Sequence, residues 1–184
     1  MPQVFPAEVI AFWREAGPDK WYAKDLAFDA AIRGRFEALH HIAARGELAD
    51  WAKDWQGALA LLILLDQFPR NMFRGSAHAF ATDPLARAAT EGVLAAGLDQ
   101  QCPEDLRVFF YMPLEHSEAL ADQDRCVALC EALDKASGSE WANWARLHRD
   151  IIVRFGRFPH RNACLGREST AEEAAFLADG GFSG

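Results

Sequence analysis

"LLDQFPRNMFRG", residues 64–75, is the stretch from which the fold is read. Before it, Trp51, Trp55, Leu59, Leu62 and Leu65 recur at helical spacing, and the run from Ala58 to Leu65 is apolar without a break. A helix that is apolar nearly all round must be covered on every side, so this segment is expected to be a central, buried helix. Asp66 then closes the run, followed at once by a proline, two arginines, an asparagine and a glycine. The aspartate points into or just beyond a hydrophobic layer, where an ionised carboxylate needs a partner.

Outward from this helix the same period dominates. Pro6 suits a first helical position ahead of Val9, Ile10 and Trp13, and Gly17-Pro18 ends that segment. Leu26 to about Arg45 repeats the pattern through Phe28, Ile32, Phe36, Leu39 and His40, with Gly46 as the stop. Asp83-Pro84 reads as an N-cap and first-turn pair for a helix that leaves at Gly97. The stretch from Pro103 to Gly138 reads as two helices, or one kinked at Pro113. "EWANWARLHRDIIVRFG" is amphipathic, and Thr170 with Glu173 forms a capping box for a last helix, Ala171 to Ala178. "RVFFYM" alone could be a strand, and its "PED" lead-in favours a helix start. The expectation is a single all-α domain, 1–184, of about eight or nine antiparallel helices. Its core is expected to hold Trp55, Leu59, Leu62, Ile63, Phe109, Trp144, Ile151 and Phe155.

A second stretch, "RFPHRNACLGRES" at 157–169, nearly repeats the first: Phe-Pro, then Arg-Asn, then a glycine four residues past the asparagine. Helix stops draw on these residue types anyway, so chance is one account. The other is two related halves, about 1–100 and 101–184, in which Phe68-Pro69 and Phe158-Pro159 take similar local conformations.

Bulk composition excludes several classes. With 19 basic and 27 acidic residues the formal charge is −8, which argues against nucleic acid and against anionic lipid. Fifteen of the basic residues are arginine, the fork suited to fixed carboxylate or phosphate contacts; a GC-rich genome would give the same bias. "MPQVFPAEVIAFWREAG" has no basic lead-in or cleavage site, so no signal peptide is expected there. Cys102, Cys126, Cys130 and Cys164 lack metal-site spacing and read as buried thiols of a cytoplasmic protein.

The two arginine turns, with "ATDPLA", "LEHSEALADQ" and "HRDIIVRFGRFPHRN", closely resemble the bacterial family catalogued as domain of unknown function 924. The resemblance runs over nearly the whole chain. It implies a helical fold similar to tetratricopeptide-repeat (TPR) proteins, although no thirty-four-residue repeat signature is visible. It implies no activity.

The candidate binding residues are those of the two turns: Asp66, Arg70, Asn71 and Arg74, then Arg157, His160, Arg161 and Asn162. They could clasp the chain through Asp–Arg pairs, or receive a small anionic ligand or a peptide or protein partner. Glu115, Glu118 and Asp122 form one acidic stripe if their helix is continuous, either a solvated face or a wall opposing the arginines. Glu115, His116 and His148 are candidate acid–base residues of a hydrolase-type enzyme; His148 alternatively is a hydrogen-bonded core histidine beside Trp144, Ile151 and Phe155. His40 and His41 are adjacent, so they point apart on a helix and make a poor metal pair. No H-E-x-x-H, phosphate loop or G-x-S-x-G is present, and neither metal nor cofactor is expected.

Overall fold

A computed structural model describes residues 4–183; Met1, Pro2 and Gln3 of the N-terminal stretch read above lie outside them. Among the described residues every regular element is helical. The chain up to Arg74, with His78–Pro113, forms one compact unit; Gly75–Ala77 and the chain from Leu114 form another. The first holds α1 (Pro6–Ala16), α2 (Pro18–Trp21), α3 (Leu26–Ala44), α4 (Trp55–Leu62), α5 (Phe68–Met72), α6 (Asp83–Ala95) and α7 (Glu104–Arg107). After the short α8 (Met112–Glu115) come α9 (Leu120–Ser137), α10 (Trp141–Phe155) and α11 (Ala171–Ala178). Among the described residues no helix is long and apolar enough to cross a membrane.

In the first unit α4 is the buried centre: Gly57 to Leu62 are all buried, between α1 and α6. Asp54 caps it, accepting the Gly57 N–H at 2.9 Å. Gly57 is required for packing, because a Cβ there would meet the Trp51 carbonyl. Around α4, Trp13, Phe36, Phe68 and Phe109 pack edge-on or tilted, with Trp13–Phe109 centroids 5.6 Å apart and Phe36–Phe68 4.9 Å.

The opening stretch departs from a plain helix. Ile63–Gln67 winds as one π-helical turn between α4 and α5, so the Phe68 N–H reaches back to the Ile63 carbonyl. Pro69, next in line, has no N–H to give. The carbonyls of Leu64 and Leu65 therefore lose their usual partners in the middle of the core. Side chains replace them: His40 Nδ1 lies 2.9 Å from the Leu64 oxygen, and the Thr82 hydroxyl donates to Leu65 O at 2.5 Å. A π turn with a proline behind it is stable here because two other helical regions supply the missing donors.

In the second unit α9 and α10 form a hairpin. Gly138 closes α9 in the left-handed region, at φ 73°. Asp134 accepts the Trp141 and Ala142 N–H groups, both at 2.9 Å, and so caps α10. Farther from the loop Glu131 pairs with Arg146 and Asp124 with Arg149, as antiparallel helices require.

Four expectations about packing need correction. Trp144 is 56 % exposed. The buried residues of α10 are Ala142, Ala145, His148, Ile151 and Ile152, so the inward face is turned towards the small alanines. These let α10 approach Cys126, Cys130 and Leu133 of α9 closely, and the bulky indole faces out. Trp55 and Phe155, at the ends of their helices, are half-buried, as is Cys164. Thr82, not Asp83, is the N-cap residue of α6; the Asp83 carboxylate is taken by an arginine. Finally, the two Phe-Pro pairs differ. Phe68 is helical, at φ −59° and ψ −38°, whereas Phe158 is extended, at φ −87° and ψ 108°.

Candidate functional site

The first arginine turn is a set of clasps within its own unit. Asp66, 1 % exposed in the π turn, lies 3.3 Å from Arg70 Nη2 one turn along. Arg70 also grips Asp83 with both terminal nitrogens, at 3.2 and 3.1 Å, donates to the Ala79 carbonyl, and lies over the Phe80 ring. Gln67 donates to the other Asp66 oxygen. Asn71 and Arg74 converge instead on Asp29 of α3: Asn71 Nδ2 at 2.8 Å, Arg74 Nε at 2.6 Å and Arg74 Nη2 at 3.2 Å. One turn is thereby tied to α3, to the start of α6 and to itself. Such fork-to-carboxylate pairs are the strong, directional kind.

The second turn has its own acceptors. Arg157 makes a two-point contact with Glu173 of α11, at 2.6 and 2.8 Å. Glu173 also accepts the Thr170 N–H, completing the expected capping box, and the amide of Asn162. The Arg157 guanidinium, with the Thr170 N–H next, holds the Glu173 carboxyl down at about 2. Arg167 grips Glu118 at 2.7 and 3.0 Å, and the Phe158 N–H donates to the same carboxylate at 2.8 Å. Burial works to raise the Glu118 carboxyl, but these donors outweigh it and hold it below the ordinary value. Arg161 is buried, donates to the His116 carbonyl at 3.0 Å, and lies 4.4 Å over the Phe158 ring. His160 packs edge-on against Phe182.

The acidic stripe is not a stripe. The chain leaves the helix between Glu115 and Leu120, so its three carboxylates part company. Glu115 turns inward, Glu118 meets Arg167, and Asp122 accepts the Ser117 hydroxyl at 2.6 Å. Glu115 does reach the histidine expected for acid–base work: its Oε1 lies 3.2 Å from His148 Nδ1, and both side chains are buried. His148 Nδ1 also lies 2.9 Å from the Trp144 carbonyl, which fixes the ring in its helix. His116 is nearby, with ring centroids 6.4 Å apart. On its other side Glu115 sits with Cys126 and Cys130, whose sulfurs are 3.9 Å apart. Their mutual contact, burial and the Glu115 charge push the Cys126 thiol well above its ordinary value.

A groove of about 460 Å³ opens in the second unit, a feature the sequence did not announce. Leu147, Ile151 and Arg154 of α10 form one wall; Phe176, Gly181 and Phe182 form another, with Asp150 also lining it. Gly181 must be glycine because a Cβ there would strike the Phe176 carbonyl. Arg154 lies 4.6 Å over the Phe155 ring and 5.5 Å over Phe176, while two of its nitrogens reach Glu172. The exposed side chains of Trp144 and Leu147 precede Ile151 on α10 at three- and four-residue spacing, so an apolar track leads into the groove.

Helices throughout, with arginine–carboxylate clasps at both Phe-Pro turns, define the class as an all-α protein. The chain belongs to the family described as bacterial protein of unknown function (DUF924), whose model matches residues 9–181. It is also similar to the solved structure of a protein of unknown function from Agrobacterium tumefaciens, at 49 % identity and a TM-score of 0.89, over 95 % of this chain and 97 % of that one. No curated protein matches.

Proposed function

We propose that the chain is a binding protein, and that the groove of its second unit takes an apolar segment ending in a carboxylate, such as the C-terminus of a peptide. The observation that carries this reading is the apolar track of Trp144 and Leu147 running into the groove and ending at Arg154. Exposed apolar side chains that run on into a groove, rather than lying scattered, are what binding sites present. Arg154 has five N–H donors and is half exposed, so it can bind a second carboxylate beside Glu172. The anion-binding part of the reading therefore moves to Arg154. Asp66, Arg70, Asn71, Arg74, Arg157 and Asn162 serve as clasps, since the carboxylates they involve, Asp29, Asp66, Asp83 and Glu173, are buried, whereas Glu172, the partner of Arg154, is exposed. A TPR-like architecture, as the family resemblance implies, would suit such a role, and so would a cytoplasmic site.

The test is a titration of isotopically labelled protein with N-acetyl-Leu-Phe and with its C-terminal amide, followed by amide chemical shifts. Shifts should gather at residues 147–154 and 176–182, and the carboxylate should bind about tenfold better than the amide, the worth of a charged hydrogen bond. Arg154→Ala should remove that preference. Equal binding by Leu147→Asp, which puts a negative charge on the exposed groove wall, would sink the proposal.

The 3.2 Å contact between Glu115 and His148 supports a second reading, an enzyme with a carboxylate-oriented imidazole as acid or base. It requires turnover that Glu115→Gln abolishes while the fold is retained.

A further inference from the structure

The π turn has a consequence for His40. The Leu64 carbonyl can only accept, so the His40 nitrogen facing it, Nδ1, must carry the proton. The lone pair is then on Nε2. His40 is fully buried, and among the described residues none gives Nε2 a hydrogen bond. A phenylalanine would fill that space without an orphaned acceptor, whose desolvation is costly. His41 and His78 stand beside it, and one ring nitrogen from each of the three lies within 4.8 Å of the others. The rings of His40 and His41 are 5.2 Å apart, so neighbours on a helix expected to diverge are bent towards each other. Phe73 backs the cluster, stacked on His78 at 4.3 Å.

We propose that His40, His41 and His78 form a binding site for a divalent transition metal, Zn²⁺ by preference, with His40 Nε2 as the anchoring ligand. The geometry has the form such sites take: a ligand imidazole donates its other N–H to a backbone carbonyl, which fixes its tautomer and aim. Three neutral nitrogens select a borderline metal over Mg²⁺ or Ca²⁺, and leave a fourth position for water or an incoming ligand. Tetrahedral zinc needs nitrogens about 3.3 Å apart, from bonds of about 2.0–2.1 Å. The closure comes from His78, which is exposed in the turn Ala77–Phe80, and from half-buried His41, while His40 stays where the core holds it.

The experiment is calorimetric titration of the chelator-stripped chain with ZnCl₂, together with the absorption spectrum of the Co²⁺ form. One equivalent of Zn²⁺ should bind, and Co²⁺ should give the visible bands of a nitrogen-ligated tetrahedral site with no sulfur charge-transfer band. His78→Ala changes an exposed side chain and His41→Ala a half-buried one, and both should keep the fold. Each should weaken Zn²⁺ binding at least as much as the ~10–100-fold loss known for an outer-shell partner. Three results overturn the proposal: no binding by the native chain, unchanged affinity in both variants, or a sulfur-to-cobalt band. The last would put the metal at Cys126 and Cys130 instead.

Discussion

Arg70 shows most plainly what an arginine in these turns does. It faces two buried carboxylates, Asp66 and Asp83, so its fork is already taken without any ligand. Truncation to alanine takes the Arg70 cation from both buried acids. The expected cost for Arg70→Ala is about 3–5 kcal/mol, the range for breaking a buried pair from one side. That is a large share of a domain's stability. Urea denaturation measures it, and added phosphate should recover little, because a third anion beside two carboxylates is repelled. A loss under about 1 kcal/mol would mean that Arg70 behaves as a surface residue and that the clasp is incidental. The need of Asp66 for a partner was legible from its place at the end of an apolar run. Its pairing with an arginine of the same turn was expected, and Arg70 is that arginine; the other carboxylates the turn holds were not foreseen. Asp29 sits beside Phe28 in a helix read for its apolar face, and Asp83 looked like a cap; what pairs with them is 45 and 13 residues away in sequence.

At the scale of elements, local signals carried the helices well. The capping box of α11 involves Thr170 and Glu173 as expected, and Asp25, a residue the sequence reading passed over, caps α3. Each rests on residues within one turn of one another, where spacing alone decides which groups can meet. The elements that escaped reading depend on distant parts of the chain. The π turn is stable because Thr82 and His40 donate to carbonyls that the turn and Pro69 leave bare. Trp144 faces solvent because α9 accepts the alanine side of α10, which periodicity cannot tell from the tryptophan side. The π turn also makes a measurable demand. Thr82→Val keeps the shape of the side chain and removes the donor, so Leu65 O is left buried without its hydroxyl. The loss should be about 1–3 kcal/mol, read by denaturation. A neutral result would show that water or a shifted backbone already satisfies that carbonyl.

Over the whole molecule, the acid side of the pH scale is where these contacts sum. The chain is acidic overall, at −8, yet arginine forks and backbone N–H groups hold the carboxyls of Glu118 and Glu173 below their ordinary value. A carboxyl whose folded value is depressed adds stability above its unfolded value, and that stability is lost as the pH falls through the folded one. For Glu173 the window runs from about 4.3, the ordinary glutamate value, down to about 2. Within it the unfolded chain binds a proton that the folded chain refuses, so stability rises with pH. Glu173→Gln removes that difference. The variant should be less stable than the native chain at pH 7, where Arg157 has lost its anion. The gap should narrow steadily below about pH 4.3 and close near pH 2. Thermal melting across this range reads the slope, which should fall by up to about one proton in the variant. Parallel curves that keep their separation down to the acid limit would show that Glu173 acts through shape and neutral hydrogen bonds, with its charge contributing nothing.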